Sequence, residues 1–270
     1  MAQVSKMVTV QINYAKELIV AINTHKKRIA QKSVDVLTPN PSSKKPIQAE
    51  HIINLLDGMI HHLQDVTEQM SESDLHHTRE SLETKQARSE RNQTFQKVTD
   101  GYTSLKYALM AAYGPKVLEH FALNEKNPRT PIDMLRKFNS IIDIIDEGKI
   151  QLPKPFSAEF PAWTLKNIRN FVAPMAKELE AALTHVSKEV QEDKGSLTNK
   201  WKLMEEQHTV YASLASISES LAAMVGDKEL AKRLRPRSPA TRPGHKLQED
   251  KAHSNDTPIE TPNTPSELTP

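Results

Sequence analysis

The chain contains 11 histidines, and their spacing relative to carboxylates is the first feature that could carry chemistry. Asp57, His61 and Asp65 are each four residues apart, so on a helix they would share one face within reach of a single metal ion. The pairs His61-His62 and His76-His77 are 15 residues apart, about 22 Å along a helix, and cannot share an ion. A zinc site needs a fourth ligand and supporting hydrogen bonds that the sequence does not indicate. We therefore interpret these histidines as solvated polar positions and predict no metal.

A second group that could carry chemistry is acidic. Asp143, Asp146 and Glu147 end a helical pattern in "IIDIIDEGK", but general acid–base work would need a pocket that separates their pKa values. The chain has no phosphate-binding glycine loop, no nucleophile elbow and no HExxH motif. It also has no cysteine, which excludes disulfides and cysteine nucleophiles. We predict that the protein is not an enzyme and uses no cofactor or small-molecule substrate.

The third group is a basic segment near the end of the sequence. Residues 228–246 hold seven Lys or Arg and one Glu, whereas residues 247–270 hold five acids and one Lys. No aromatic residue lies within the basic segment, so it offers no platform for base stacking. Any nucleic-acid contact would be non-specific and salt-sensitive. The candidate contact residues are Lys228, Lys232, Arg233, Arg235, Arg237, Arg242 and Lys246.

The composition limits the kind of core that could position these residues. Of the 270 residues, 37% are hydrophobic and 5% aromatic, and the net charge is +2. These values favour a narrow helical seam and give no global electrostatic case for nucleic acid or membrane. No run reaches the ~18 apolar residues of a membrane helix, and no signal peptide is evident. We therefore expect a soluble, cytoplasmic protein.

The apolar residues recur at helical spacing, and no stretch alternates in the manner of a strand. In "AEHIINLLDGMIHHL", for example, the residues that share one face are Ile52, Ile53, Leu56, Met59, Ile60 and Leu63. Thr130 followed by a proline and Asp133 is typical of a helix start. The sequence predicts an all-α protein with six helices, at about 4–36, 47–81, 85–113, 131–148, 159–192 and 196–225.

Two of the predicted helix boundaries are turns of long antiparallel hairpins. One lies near residues 82–84, because residues 71–94 contain few apolar side chains and would form a polar hairpin tip. The other lies near Asp193-Lys194-Gly195, since glycine commonly ends a helix. From about residue 235 the chain is rich in Pro, Ser and Thr, and this composition predicts disorder.

The two halves of the sequence show an internal similarity. A shift of 112 positions places Ile168 on Leu56, Val172 on Ile60 and Gly226 on Gly114. The order of helices, proline-containing loops and closing segment is also repeated. The sequence thus predicts a duplication, with a first three-helix unit at 1–130, a second at 131–235 and a disordered tail at 236–270.

One of the closing segments carries a resemblance to other proteins. "YGPKVLEHFALNEKNPRTP" is similar to the "FG…LxxFGL.P.K" stretch of a group of uncharacterised bacterial helical-hairpin proteins, with Phe121-Ala122 at the position of their second aromatic-glycine pair. The resemblance covers roughly residues 5–131 and, more faintly, 132–243. It implies a helical fold and no particular activity.

The function that the sequence favours is non-catalytic. Long amphipathic helices without a catalytic grouping are typical of structural, scaffold or assembly proteins that bind a protein partner or a second copy through helix faces. The alternative is non-specific nucleic-acid association through the basic segment 228–246.

Overall fold

The computed structural model describes residues 3–37, 47–148, 150–156 and 163–237. Six helices occur within these residues, and no strand is present among them. They are α1 (Lys6–Leu37), α2 (Ala49–Tyr113), α3 (Val117–His120), α4 (Pro131–Asp146), α5 (Leu165–Met224) and α6 (Lys228–Leu234). The prediction of an all-α protein is confirmed. The predicted disordered tail lies outside the described residues, except for Pro236 and Arg237.

The architecture is dominated by α2 and α5, which contain 65 and 60 residues. At 1.5 Å per residue they are about 98 Å and 90 Å long. They run antiparallel along one another. Near one end Tyr113 Oη donates to the backbone oxygen of Trp163 at 2.7 Å, whereas near the centre Asn199 Nδ2 donates to Ser73 Oγ at 3.1 Å. Buried residues recur at spacings of three and four along much of each helix, as in coiled coils.

Two large apolar cores and one small apolar cluster lie along this helix pair within the described residues. The first core joins α1 and the N-terminal half of α2 to the C-terminal half of α5 and to α6, with Ile22, Leu56 and Leu214 fully buried. The second core joins the C-terminal half of α2 to α3, α4 and the N-terminal half of α5. Tyr102 and Phe138 are buried there, with ring centroids 6.1 Å apart. Each core therefore contains residues from both predicted three-helix units, 1–130 and 131–235.

The two predicted hairpin turns are wrong, because residues 81–85 and 193–195 are helical. The segment "SLETK" at 81–85 contains no glycine or proline, and its residues permit a helix. Gly195 lies inside α5 and has no positive φ, so it does not end the helix. The polar segment 71–94 is not a hairpin tip, since Ser73, Asp74 and Thr84 are buried against the neighbouring helices. The pairing of α2 with α5 gives these polar groups partners.

The predicted start of the fourth helix is confirmed. Thr130 is the N-cap of α4, where its Oγ1 accepts from the backbone N–H of Asp133 at 3.1 Å, and Pro131 occupies the first turn. Thr164 caps α5 in the same way, through the N–H of Asn167 at 3.1 Å. The fifth helix thus begins at Leu165 and not at the predicted residue 159.

The internal duplication stays a prediction. The series α1, α2, α3 and the series α4, α5, α6 each consist of a helix, a much longer helix and a short helix. Gly114 and Gly226, 112 positions apart, both have φ of +80°. Leu56 and Ile168, which the shift of 112 positions places on each other, are both buried. Ile60 and Val172, related in the same way, are also both buried.

Candidate functional site

The basic segment begins in α6, which Asp227 caps by accepting from the N–H of Leu230 at 3.1 Å. Lys228, Lys232 and Arg233 are exposed on this helix, while Leu230 and Leu234 pack into the first core. One side of α6 is therefore structural, and the opposite side presents three cations to solvent.

The next two candidate contacts are held by the protein itself. Arg235 Nε donates to Glu219 Oε1 at 3.0 Å, and Arg237 donates to Glu17 Oε2 at 2.8 Å. The guanidinium of Arg237 also lies 5.7 Å from the ring centroid of Tyr14. The structure therefore separates the predicted contacts into an exposed group and an ion-paired group. Arg242 and Lys246 lie outside the described residues.

The candidate ligands Asp57, His61 and Asp65 do not form an isolated site. Asp57 forms an ion pair with Lys26 of α1, so its carboxylate helps to attach α1 to α2. His61 and Asp65 are exposed. His61 and Asp65 are thus solvated polar positions, whereas Asp57 is partly buried in an ion pair.

The acidic group at the end of α4 also has a structural partner. Arg169 of α5 donates to the two carboxylate oxygens of Asp146, from Nε at 2.7 Å and from a terminal nitrogen at 3.1 Å. This bidentate hydrogen bond holds the pKa of Asp146 below its ordinary value. A carboxyl group that stays ionised beside Arg169 is poorly suited to act as a general acid. It instead joins α4 to α5.

A set of interacting charged groups lies in the region where the sequence predicted the two hairpin turns. We call this region the stalk centre: residues 73–84 of α2 and 189–200 of α5. Asp74 is fully buried there. Its Oδ2 accepts from the backbone N–H of Ser5 at 2.5 Å, and Lys200 Nζ lies 2.5 Å from its Oδ1. Desolvation raises the pKa of Asp74, but Lys200 and the Ser5 N–H outweigh it and hold the pKa below the ordinary value.

Three further carboxylates meet at the stalk centre. Glu80 of α2 and Glu189 and Glu192 of α5 each place one carboxylate oxygen within 4.8 Å of the other two. Glu189 is 6% exposed, and its Oε2 is buried with no hydrogen-bond partner among the described residues. Such a group is costly to bury unless something compensates its charge. We call these three residues the glutamate cluster.

Two histidines border the glutamate cluster. His76 Nε2 lies 3.6 Å from Glu80 Oε1, and His185 Nε2 lies 3.3 Å from Glu189 Oε1. Both histidines precede their glutamate by four residues, a spacing that places the side chains on one helix face. That spacing is the signal that sequence reasoning could have used. The sequence does not show that the His76–Glu80 pair of α2 lies beside the His185–Glu189 pair of α5, because it does not show which part of α5 packs against residue 80.

A neighbouring polar contact fixes the same stretch of the two helices. His77 Nδ1 lies 3.1 Å from Ser196 Oγ and 3.4 Å from Asp193 Oδ1. Thr84 Oγ1 donates to the backbone oxygen of Glu189 at 3.1 Å, in a buried position. These bonds determine the register of α2 against α5 because each requires particular residues to be opposite one another.

Comparisons with family models, with curated proteins and with solved structures give no match for this chain. Among the described residues, no helix combines the length and the apolar character that crossing a membrane requires.

Proposed function

We propose that the protein is a non-catalytic scaffold that holds binding surfaces apart at the two ends of the α2–α5 pair. The observation that carries this proposal is the separation of two apolar cores along helices of 65 and 60 residues. The length of α2 and α5 maintains a distance of several tens of ångströms between two helical ends.

Exposed apolar side chains on the helices that form the two cores support binding through helix faces. Val20 on α1 is 65% exposed, and Ile132 on α4 is 54% exposed. Single apolar side chains are common on protein surfaces, so their role must be tested by substitution. We place this scaffold in the cytoplasm, in keeping with a chain that has no cysteine.

The test is a pull-down of the tagged full chain from its source cells, with and without nuclease. Val20→Asp and Ile132→Asp each add a charge on a helix that forms one of the two cores, whereas Leu82→Asp adds a charge at an exposed position in the stalk centre. We expect protein partners that survive nuclease, and we expect the Val20 and Ile132 variants to lose partners that the Leu82 variant retains. A strict monomer in analytical ultracentrifugation, together with no captured partner, would contradict the proposal.

A second candidate function is nucleic-acid association, and the exposure of Lys228, Lys232 and Arg233 on one side of α6 favours it. Replacing these three residues by Gln should weaken DNA or RNA binding and lower its salt dependence. Replacing Arg235 and Arg237 is the matched comparison, since both are already paired with carboxylates. Equal binding by the triple variant and the unmodified chain would rule out this function for α6.

A further inference from the structure

We propose that the glutamate cluster at the stalk centre binds a divalent transition-metal ion, with Glu80, Glu189 and Glu192 as ligands. This inference is independent of the scaffold proposal. It rests on three observations: the approach of three carboxylate oxygens, the buried Oε2 of Glu189 and the two bordering imidazoles.

The first observation concerns charge. Three carboxylate oxygens lie within 4.8 Å of one another, and like charges at such distances repel. Glu189 contributes to this repulsion from a buried position, where solvent screens it least. A cation among the three oxygens would attract each carboxylate and so offset the repulsion between them.

The second observation concerns the unpartnered oxygen of Glu189. Thr84 donates to the backbone oxygen of Glu189 and not to its side chain. His185 Nε2 lies 3.3 Å from Oε1 of this carboxylate, while Oε2 remains buried without a hydrogen-bond partner among the described residues. Buried polar atoms are nearly always satisfied in native proteins. A bound ion supplies the missing partner.

The third observation concerns the class of ion. His76 Nε2 and His185 Nε2 each lie within 3.6 Å of one ligand carboxylate but outside the set of mutually close ligand atoms, so an imidazole nitrogen completes the coordination only after its side chain rotates. Mixed carboxylate and imidazole donors suit zinc and related first-row ions, whereas magnesium and calcium prefer oxygen alone. In a tetrahedral zinc site with Zn–O of about 2.0 Å, ligand oxygens are about 3.3 Å apart. Glu192, which is the more exposed of the α5 ligands, can move inward to reach this spacing.

Lys188 is the competing cation at this site. Its Nζ lies 3.5 Å from Glu192 Oε1 on the same helix, and 66% of its side chain is exposed. An exposed lysine four residues away contributes little and is readily displaced. Because Glu80 belongs to α2 and the other two ligands to α5, the ion would connect the two long helices at their centre.

The test uses the full chain without a histidine tag, stripped with EDTA and titrated with Zn²⁺ alone by isothermal titration calorimetry. Glu189→Gln keeps the shape of the ligand and removes its charge, and Glu192→Gln does the same at a more exposed position. Glu180→Gln, an exposed position on the same helix, is the matched control. We expect one saturable site that weakens at least tenfold in both ligand variants and is unchanged in the control.

Two additional measurements keep the test decisive. X-ray absorption of the zinc-loaded chain should show only oxygen and nitrogen ligands. Thermal unfolding without metal should show Glu189→Gln folded and no less stable than the unmodified chain, since the substitution relieves repulsion. If that variant does not fold, Glu192→Gln and Glu80→Gln decide the question. No saturable zinc binding, or equal affinity in the ligand variants and the control, would overturn the proposal.

Discussion

Asp74 of α2 and Lys200 of α5 form an ion pair in which the two side chains are 0% and 11% exposed. The same carboxylate accepts the backbone N–H of Ser5 at 2.5 Å, just before α1 begins. One buried side chain therefore joins three helices near the middle of the molecule.

Removing this carboxylate should destabilise the protein strongly. Asp74→Ala leaves the Lys200 ammonium without its partner and the Ser5 N–H without its acceptor, and we expect a loss of about 3–5 kcal/mol in the free energy of unfolding. Urea unfolding followed by circular dichroism measures this loss. The double variant Asp74→Ala/Lys200→Met should be less damaging than the single variant, because no charge stays buried. If the double variant loses as much unfolding free energy as the two single variants lose together, Asp74 and Lys200 are not coupled.

The stability that Asp74 contributes should depend on pH. Its pKa in the folded protein is below the ordinary value of 3.8, so the unfolded chain takes up a proton before the folded chain does. The contribution is therefore complete above about pH 4 and is lost as pH falls through the lower folded pKa. We expect Asp74→Asn to be less stable than the unmodified chain at pH 7, with a difference that shrinks below pH 4. A difference that is constant from pH 7 to pH 2.5 would contradict the assignment.

Gly195→Ala should stabilise the protein by about 1 kcal/mol, because alanine is the better residue inside a helix. A Cβ at this position would meet no atom within 4 Å, and the backbone has no positive φ. If residues 193–195 formed the hairpin turn that the sequence suggests, the same substitution would be neutral or destabilising. Thermal and urea unfolding distinguish these outcomes, and Gly58→Ala, also in open space, serves as the control inside α2.

Ala122→Gly should also stabilise the protein. Ala122 has φ of +51°, a left-handed conformation that costs a residue with a Cβ roughly 1 kcal/mol or more. Glycine adopts this φ without that cost, so we expect a gain of about 0.5–1 kcal/mol after its greater flexibility in the unfolded chain is included. The measurement is the midpoint of urea unfolding. Ala111→Gly, inside α2 and exposed, should instead be destabilising.

The continuity of α2 can be measured as a distance. Glu68 and Gln96 are exposed, and 28 residues of helix place them about 42 Å apart. A hairpin turning at residues 82–84 would bring them within about 10 Å, the spacing of packed helices. Because the chain has no cysteine, Glu68→Cys and Gln96→Cys allow specific spin labelling and a pulsed electron resonance measurement. A dominant distance below 20 Å would contradict a continuous α2.

Much of the fold could be predicted because it depends on neighbouring residues. The three-four spacing of Ile52, Leu56 and Ile60 requires a helix with one apolar face. The Thr130 cap of α4 follows equally from local chemistry, since a hydroxyl side chain there satisfies a free backbone N–H. Both features were found at the predicted positions.

The pairing of the helices could not be predicted in the same way. In the sequence, residues 71–94 look too polar to be packed, because side chains such as Asp74 and Thr84 need partners that only another element can supply. Those partners, Lys200 and the backbone of Glu189, are more than 100 residues away. Without them a solvated hairpin tip is the reasonable prediction.

The sequence by itself therefore determined the all-α class, the positions of α1 and α4 and the lack of any familiar catalytic motif. Only the tertiary structure decided that α2 and α5 continue through their polar centres and that Glu80 meets Glu189 and Glu192. The physical reason is that helix formation is governed by contacts within about four residues. The choice between turning back and continuing depends on the free energy of packing against a distant helix.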